Sequence, residues 1–119
     1  MLEVYSVSDN DAMHQISFDT NQTGFDFVSP TEIVVSDDQG RLSYFQNVHQ
    51  EEGISMRIVE TTYKRFKAVE ASPDFSFFTA LTNESITMWN MQAFRDELAK
   101  QTDEDAMCEM KPQRDIAQK

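Results

Sequence analysis

The sequence is poor in the residues from which many functional sites are built. Of its 119 residues, one is cysteine, three are glycine and two are histidine. The single thiol, Cys108, cannot form a disulfide within the chain, which favours a reducing, intracellular compartment. His14 and His49 are 35 residues apart, and with one cysteine they do not make a zinc-ligand set. Three scattered glycines exclude a glycine-rich loop that binds phosphate.

Long apolar runs and a surplus of positive charge are also missing. No stretch approaches the roughly 18 apolar residues of a membrane-spanning helix, so we expect no membrane partner. The chain has 10 Lys and Arg against 21 Asp and Glu, a net charge of −11. Such a charge repels phosphate backbones and disfavours direct nucleic-acid binding, but it suits other proteins as partners. Apolar residues make up 39% and include nine phenylalanines, which predicts a packed interior.

Two landmarks recur along the chain at a similar spacing. Three short segments share the order aliphatic, polar, apolar, aromatic, polar, and their aromatic residues are Tyr5, Phe45 and Trp89. These aromatic residues follow one another at intervals of 40 and 44 residues. Pro30 and Pro73, each preceded by an apolar residue and a serine, are 43 residues apart. Because two independent landmarks keep the same period, the sequence predicts an internal repeat.

Between these landmarks the chain predicts short β-strands. Apolar and polar residues alternate in segments such as 25–28 and 66–71, and turn-forming residues such as Ser-Asp-Asp-Gln-Gly at 36–40 separate the segments. Residues 12–18 and 53–63 suggest a fourth strand for each unit. Four short antiparallel strands in about 40–45 residues are typical of a propeller blade. We therefore predict an all-β fold of about two four-stranded antiparallel blades.

The repeat resembles a known family. The segment VEASPDFSFFTALTNESITMWNM is similar to a WD-repeat unit, FDFVSPTEIVVSDDQGRLSYFQ is similar to a second, degenerate unit, and LEVYS resembles the closing strand of a third. The resemblance implies a partial WD-repeat β-propeller over residues 1–92. Its repeat units would cover about 24–63 and 66–92, with one further strand at 2–7. The resemblance also implies that the three recurring aromatic residues are structural and pack between blades.

The chain departs from the family pattern at several positions. The closing dipeptides are Trp-Asn and Phe-Gln where the family has Trp-Asp, and no Gly-His pair precedes either unit. Phe75 stands where a turn glycine is usual, whereas Asp37 and Asp38 could supply the turn aspartate of the first unit. We therefore expect the family's hydrogen-bond network of His, Asp, Ser or Thr, and Trp to be incomplete here.

A narrower similarity links the chain to the last blades of WD-repeat proteins that bind PAK-type kinases and assist assembly of the large ribosomal subunit. This similarity would imply a role in ribosome assembly or kinase regulation, and a nuclear or nucleolar location instead of a cytoplasmic one. The lysine-rich tail of those proteins is absent, because residues 102–119 are mixed in charge.

Two units and one strand are fewer than the roughly four blades that a propeller needs. Alone, such units would expose apolar residues on both outer sheet faces. We expect the chain to be the C-terminal part of a longer protein whose missing blades cover these faces. The alternative is a small independent all-β protein that oligomerises through its apolar sheet faces.

The end of the chain changes its pattern. Met91, Phe94 and Leu98 fall on one helical face, so we predict a C-terminal capping helix at 93–101 that covers an edge of the last blade. A docking helix for a partner is the alternative. Residues 102–119 have little periodicity and are predicted as an acidic flexible tail.

No residue pattern predicts catalysis, a metal or a cofactor, so we expect no enzyme activity in this segment. The candidate partner-binding residues are the turn pair and a basic cluster in YKRFK: Asp37, Asp38, Lys64, Arg65 and Lys67. For the basic cluster, the competing interpretation is a solvated strand edge whose lysines prevent unwanted pairing.

The leading hypothesis is a non-catalytic protein-interaction scaffold that presents loops such as 36–41, 46–53 and 82–85 to protein partners. The independent, oligomerising all-β protein is the alternative. A third hypothesis is a subunit of a propeller-type enzyme whose catalytic residues lie outside this segment.

Overall fold

Strands dominate the structure, as the alternating sequence pattern predicts. The structure is a computed structural model that describes residues 2–5, 12–16, 18, 20–50, 54–100 and 108–117, and for 2–5, 12–15 and 117 it describes the backbone. In chain order its elements are β1 (Leu2–Tyr5), β2 (Ala12–Ile16), β3 (Gln22–Ser29), β4 (Glu32–Asp37), β5 (Arg41–Gln46), β6 (Ser55–Glu60), β7 (Ala68–Ala71), β8 (Phe77–Leu81), β9 (Ser85–Asn90), α1 (Met91–Ala99), β10 (Cys108–Glu109) and β11 (Arg114–Ala117). The prediction of an all-β fold is confirmed.

The strands form two sheets and one hairpin. The first sheet has the strand order β10-β6-β5-β4-β3, the second has the order β11-β9-β8-β7, and β1 pairs with β2. All neighbouring strands are antiparallel except β10, which runs parallel to β6. Strands β3 to β6 follow one another as a meander, and so do β7 to β9.

Each sheet has two distinguishable faces, because side chains alternate along a strand. We call the face that carries Phe45 in the first sheet, and Trp89 in the second, the front face, and the opposite face the back face. The strand pairings make front-face positions of the two sheets equivalent. The equivalent positions are Phe45 and Trp89, Ile33 and Phe78, Phe27 and Ala71, and Phe25 and Val69.

The two sheets stack with the back of the first on the front of the second. One buried cluster joins Val34, Leu42, Tyr44 and Val59 from the first sheet to Val69, Phe78, Ala80 and Trp89 from the second. The ring of Phe78 lies parallel to that of Trp89, with ring centroids 5.9 Å apart. The stacking is therefore directional, since each sheet uses a different face in the contact.

The first strands of the two sheets, β3 and β7, approach closely. A Cβ atom on Gly24 would lie 3.1 Å from both Ala68 Cα and Val69 N, so the absence of a side chain at Gly24 permits this approach. The carboxylate of Asp26 accepts a hydrogen bond from the backbone N–H of Ala71 at 2.8 Å. Backbone contact and a hydrogen bond thus fix β3 beside β7.

The front face of the first sheet is covered only in part by the described residues. A second cluster of Ile33, Val35, Phe45 and Val48 packs against Ile16, Phe18 and Ile54. The rings of Phe18 and Phe45 meet edge to face at 6.1 Å. Along β3, in contrast, Phe25 is 59% exposed and Phe27 is 41% exposed.

Helix α1 begins directly after β9. Asn90 precedes it, and its side-chain oxygen accepts a hydrogen bond from Ala93 N at 2.9 Å, as an N-cap does. Its buried residues are Met91, Phe94 and Leu98, the apolar face that the sequence indicates. Phe94 meets Tyr44 of the first sheet at 5.4 Å and Phe78 of the second at 5.4 Å. The helix therefore packs against both sheets, and it runs from 91 to 99 where 93–101 was expected.

The region expected as a flexible tail contains two short strands. Cys108 and Glu109 pair with Val59 and Glu60 of β6, and Arg114–Ala117 pair with β9. The expectation of a tail without structure is wrong for these residues. Edge strands β6 and β9 present unpaired N–H and C=O groups, which a short segment can satisfy whatever its side-chain period. Strand β11 supplies the fourth strand of the second sheet, which the unit at 66–92 lacked.

Candidate functional site

Three connections between strands meet at one end of the two sheets. They are the turn 38–40 between β4 and β5, the loop 61–67 between β6 and β7, and the turn 82–84 between β8 and β9. We call this region the loop end. It brings the candidate residues Asp38, Lys64, Arg65 and Lys67 close together, which the sequence spacing alone did not indicate.

Backbone hydrogen bonds hold the loop 61–67 between the two turns. Phe66 N–H donates to the carbonyl of Asp37 at 3.1 Å, and Lys67 N–H donates to the carbonyl of Leu81 at 2.7 Å. The side chain of Phe66 is fully buried in the core that joins the sheets. The loop is thus anchored to both sheets, so the backbone that carries its charged side chains is held in place.

Asp37 organises the first turn. Its carboxylate accepts hydrogen bonds at 2.9 Å from the backbone N–H groups of Gln39 and Arg41 and from the hydroxyl of Thr20. The residue is 6% exposed. Because its oxygens are occupied within the chain, we leave Asp37 out of the proposed contact surface.

Gly40 allows the loop to pass over this turn. Its φ is +75°, and a Cβ atom there would lie 1.8 Å from the carbonyl oxygen of Tyr63. The hydroxyl of Thr61 donates to the carbonyl of Gly40 at 2.7 Å. The turn and the loop therefore depend on a residue without a side chain at this position.

Asp38 is the more accessible member of the turn pair. Hydrogen bonds from Gln39, and then from Asn21, hold the pKa of its carboxyl below the usual value, with a further contribution from the positive charge of Arg65. The carboxylate is therefore the favoured form, and it can accept bonds from a partner.

The basic side chains Lys64, Arg65 and Lys67 are exposed. The first two line a groove of about 270 Å³ whose opposite wall is the turn 82–84. That turn contributes Glu84, so the groove carries both signs of charge.

Tyr63 ties the loop end to the last strand. Its hydroxyl donates to the carboxylate of Asp115 on β11, and its ring packs on Phe66 at 5.8 Å. Burial, followed by the hydrogen bond and negative charge of Asp115, raises the pKa of Tyr63 to about 12. This contact could not be predicted from sequence patterns, because the partners are 52 residues apart.

The second turn uses a hydroxyl where the first uses a carboxylate. The Oγ1 atom of Thr82 accepts from the N–H groups of Glu84 at 3.2 Å and Ser85 at 2.9 Å. Threonine closes turns in this way less strongly than aspartate. The usual turn aspartate is therefore replaced in its role by Thr82, and not by the neighbouring Asn83 or Glu84.

The recurring aromatic residues lie in different surroundings. Trp89 is 1% exposed, and its indole N–H donates to Thr87 Oγ1 at 2.8 Å. The Thr87 hydroxyl donates in turn to the carbonyl of Ala80 at 2.8 Å. Phe45 is buried on the front of the first sheet. Tyr5 lies on β1 opposite Ala12, and its side chain is outside the described part of the chain.

Comparison with known proteins does not place the chain in a family. No protein-family model and no curated protein matches the chain. Within the described residues, no helix is long and apolar enough to cross a membrane, and no group of three or more His, Cys, Asp or Glu could hold a metal ion.

Proposed function

We propose that the chain forms two blades of a WD-repeat type β-propeller that acts as a non-catalytic protein-interaction scaffold. The observation that carries the proposal is the directional stacking of the two sheets, back face on front face. Contacts of this kind use two different surfaces, so they continue until a ring closes or the array ends. A propeller is the closed form of such an array for four-stranded sheets.

The exposed faces support the same proposal. Phe25 and Phe27 are equivalent to Val69 and Ala71, which the first sheet covers. On the back of the second sheet, Ile86 and Ile116 are also exposed. Further blades on both sides would remove these apolar groups from water.

The loop end is the surface that we propose for partner contact. It combines exposed basic side chains with Asp38 and Glu84 on anchored loops, and loops on a rigid scaffold commonly carry binding residues. Participation in ribosome assembly or kinase regulation, with a nuclear or nucleolar location, belongs to this proposal through the family resemblance alone.

Partner capture with the whole native protein tests the loop end. Arg65→Glu should reduce recovery of the captured protein about tenfold, the loss expected when a charged contact is reversed. Lys100→Glu is the matched control, because it changes net charge equally at the C-cap of α1, where Lys100 pairs with Glu97. Equal recovery with both variants would remove the loop end from the proposal and leave the stacking argument untouched.

The alternative function is a small all-β protein whose copies assemble through the same faces. The exposed Phe27 favours it, because it lies on a front face that the back of another copy could cover. Light scattering on the purified chain tests this alternative. Phe27→Asp should dissociate an oligomer, whereas Phe75→Asp, at an exposed turn position, should not. A monomeric wild-type chain at high micromolar concentration would exclude the alternative.

A further inference from the structure

Arg57 has two buried guanidinium nitrogen atoms that no described residue pairs. It lies on β6 opposite Tyr44, on the back face of the first sheet. Its Nε and Nη2 atoms are buried, and neither has a partner within the part of the chain that the structure describes. Leaving buried charged donors unpaired is costly. Among the described residues, no carboxylate lies within hydrogen-bond distance of these two atoms.

Arg57 lines a small pocket between the first sheet and the C-terminal half of α1. The pocket has a volume of about 130 Å³. Since one water molecule takes about 30 Å³ in the liquid, there is room for about four waters or one compact ionic group. Gln46, which ends β5, is part of the lining, so the pocket lies at the opposite end of the sheet from the loop end.

The side chains next to Arg57 in the pocket offer more hydrogen-bond donors than acceptors. Gln46 Nε2 donates to the Tyr44 hydroxyl oxygen at 3.2 Å, and Gln46 Oε1 accepts from Ser55 Oγ at 3.4 Å. The Tyr44 hydroxyl proton remains to be donated, and the described residues provide it with no acceptor. A ligand in this pocket would therefore have to be an acceptor.

Arg95, which also lines the pocket, indicates what fits Arg57. The carboxylate of Glu32 bridges Nε of Arg95 at 3.1 Å and Nη2 at 2.8 Å. These are the same two atoms that lack partners in Arg57. This edge of a guanidinium binds carboxylate or phosphate through two parallel N–H···O bonds.

We propose that the pocket binds a single oxyanion group, a carboxylate or a phosphate, on the Nε–Nη2 edge of Arg57. The Tyr44 hydroxyl would add a third hydrogen bond, and the positive charge of Arg57 would offset the anion, since the charge of Arg95 is already paired with Glu32. The binding site is independent of the scaffold function, because it shares no residue with the loop end.

Titration of the full chain with sodium phosphate, and separately with sodium acetate, tests the proposal. Ionic strength is held constant with sodium chloride, and the Arg57 Nε–H signal is followed by NMR. A saturable shift of this signal is expected with at least one anion. Stronger binding of phosphate assigns a phosphate group, and stronger binding of acetate assigns a carboxylate. The absence of a saturable shift with either anion would overturn the proposal.

Three variants test whether anion binding needs the Nε–Nη2 edge of Arg57 or only its positive charge. Arg57→Gln removes both charge and edge, and Arg57→Lys keeps the charge alone. Both should weaken binding about tenfold or more, measured in all variants on the backbone amide signals of the pocket residues Tyr44 and Gln46. Arg41→Gln is the matched control, since Arg41 is on the same sheet and pairs with Glu60 at 3.5 Å. It should bind within about twofold of wild type. Wild-type binding by Arg57→Lys or Arg57→Gln would contradict the proposed contact.

Stability provides a second readout. Without added anion, Arg57→Gln should melt at the same temperature as wild type or higher, because it removes two buried donor nitrogens that the described residues leave without partners. The preferred anion should then raise the melting temperature of wild type and leave that of Arg57→Gln unchanged. An equal increase for both proteins would indicate a general salt effect and overturn the proposal.

Discussion

Val69 on the second sheet and Phe25 on the first occupy equivalent front-face positions, yet Val69 is 8% exposed and Phe25 is 59% exposed. The larger aromatic side chain is the one in contact with water, which is the reverse of what burial favours. The difference is that a sheet lies in front of Val69, whereas the described residues place none in front of Phe25. We infer from this comparison that the front of the first sheet is an interface of the same kind, on which a further sheet packs.

The largest expected effect is at the centre of the covered front face. Trp89→Ala should lower the free energy of unfolding by about 3–5 kcal/mol, because it removes the stacking with Phe78 and leaves a cavity. Urea denaturation followed by circular dichroism measures this change. A loss below about 1 kcal/mol would mean that the contact between the sheets is loose.

A matched pair of smaller substitutions compares the two front faces directly. In the purified chain, Val69→Ala should cost about 2 kcal/mol, whereas Phe25→Ala should change stability by less than about 0.5 kcal/mol. In the protein assembled with its further blades, Phe25→Ala should lower the free energy of unfolding as much as a core substitution does. If Phe25→Ala lowered the free energy of unfolding equally in the purified chain and in the assembled protein, the proposed interface would be contradicted.

The two aspartates of the first turn should also differ. Asp37→Ala leaves the N–H groups of Gln39 and Arg41 without their acceptor and should cost about 1–3 kcal/mol. Asp38→Ala removes weaker, exposed contacts at 3.2 and 3.3 Å and should have little effect. Thermal unfolding of both variants measures these costs. A larger loss of stability in Asp38→Ala than in Asp37→Ala would contradict our assignment of Asp37 as the residue that organises the turn.

A stabilising change is expected at the turn between β7 and β8. Phe75 has a φ of +60°, a conformation that favours glycine. Phe75→Gly should therefore raise the free energy of unfolding by about 0.5–1 kcal/mol. Phe77→Gly, on the following strand, is the control and should destabilise.

The smallest effect concerns alkaline pH. The folded pKa of Tyr63, about 12, lies above its ordinary value of 10.0, so its contribution to stability is present below pH 10 and lost as pH rises toward 12. In Tyr63→Phe this part of the pH dependence should disappear, and stability near neutral pH should be slightly lower. Identical stability curves above pH 10 for both proteins would show that the Asp115 contact does not form.

The sequence predicted the all-β fold and the apolar face of α1, because these depend on periodic patterns within short segments. It did not predict β10 and β11, since two and four residues are too few to show a period and their pairing partners are distant in the chain. The candidate site was predicted in part. Lys64 and Arg65 were found through their charge, whereas the role of Asp37 in its turn and the contact of Tyr63 depend on three-dimensional proximity.

The central claim is that further blades cover the two outer sheet faces. The most direct test is the mass of the native gene product in its own cells, measured on a denaturing immunoblot with an antibody raised to residues 100–119. The claim predicts a band of about 18 kDa or more, from the size of four blades to about 35 kDa for seven blades of about 40–45 residues. A single band at the 13.8 kDa of this chain would contradict it and would favour assembly of separate copies.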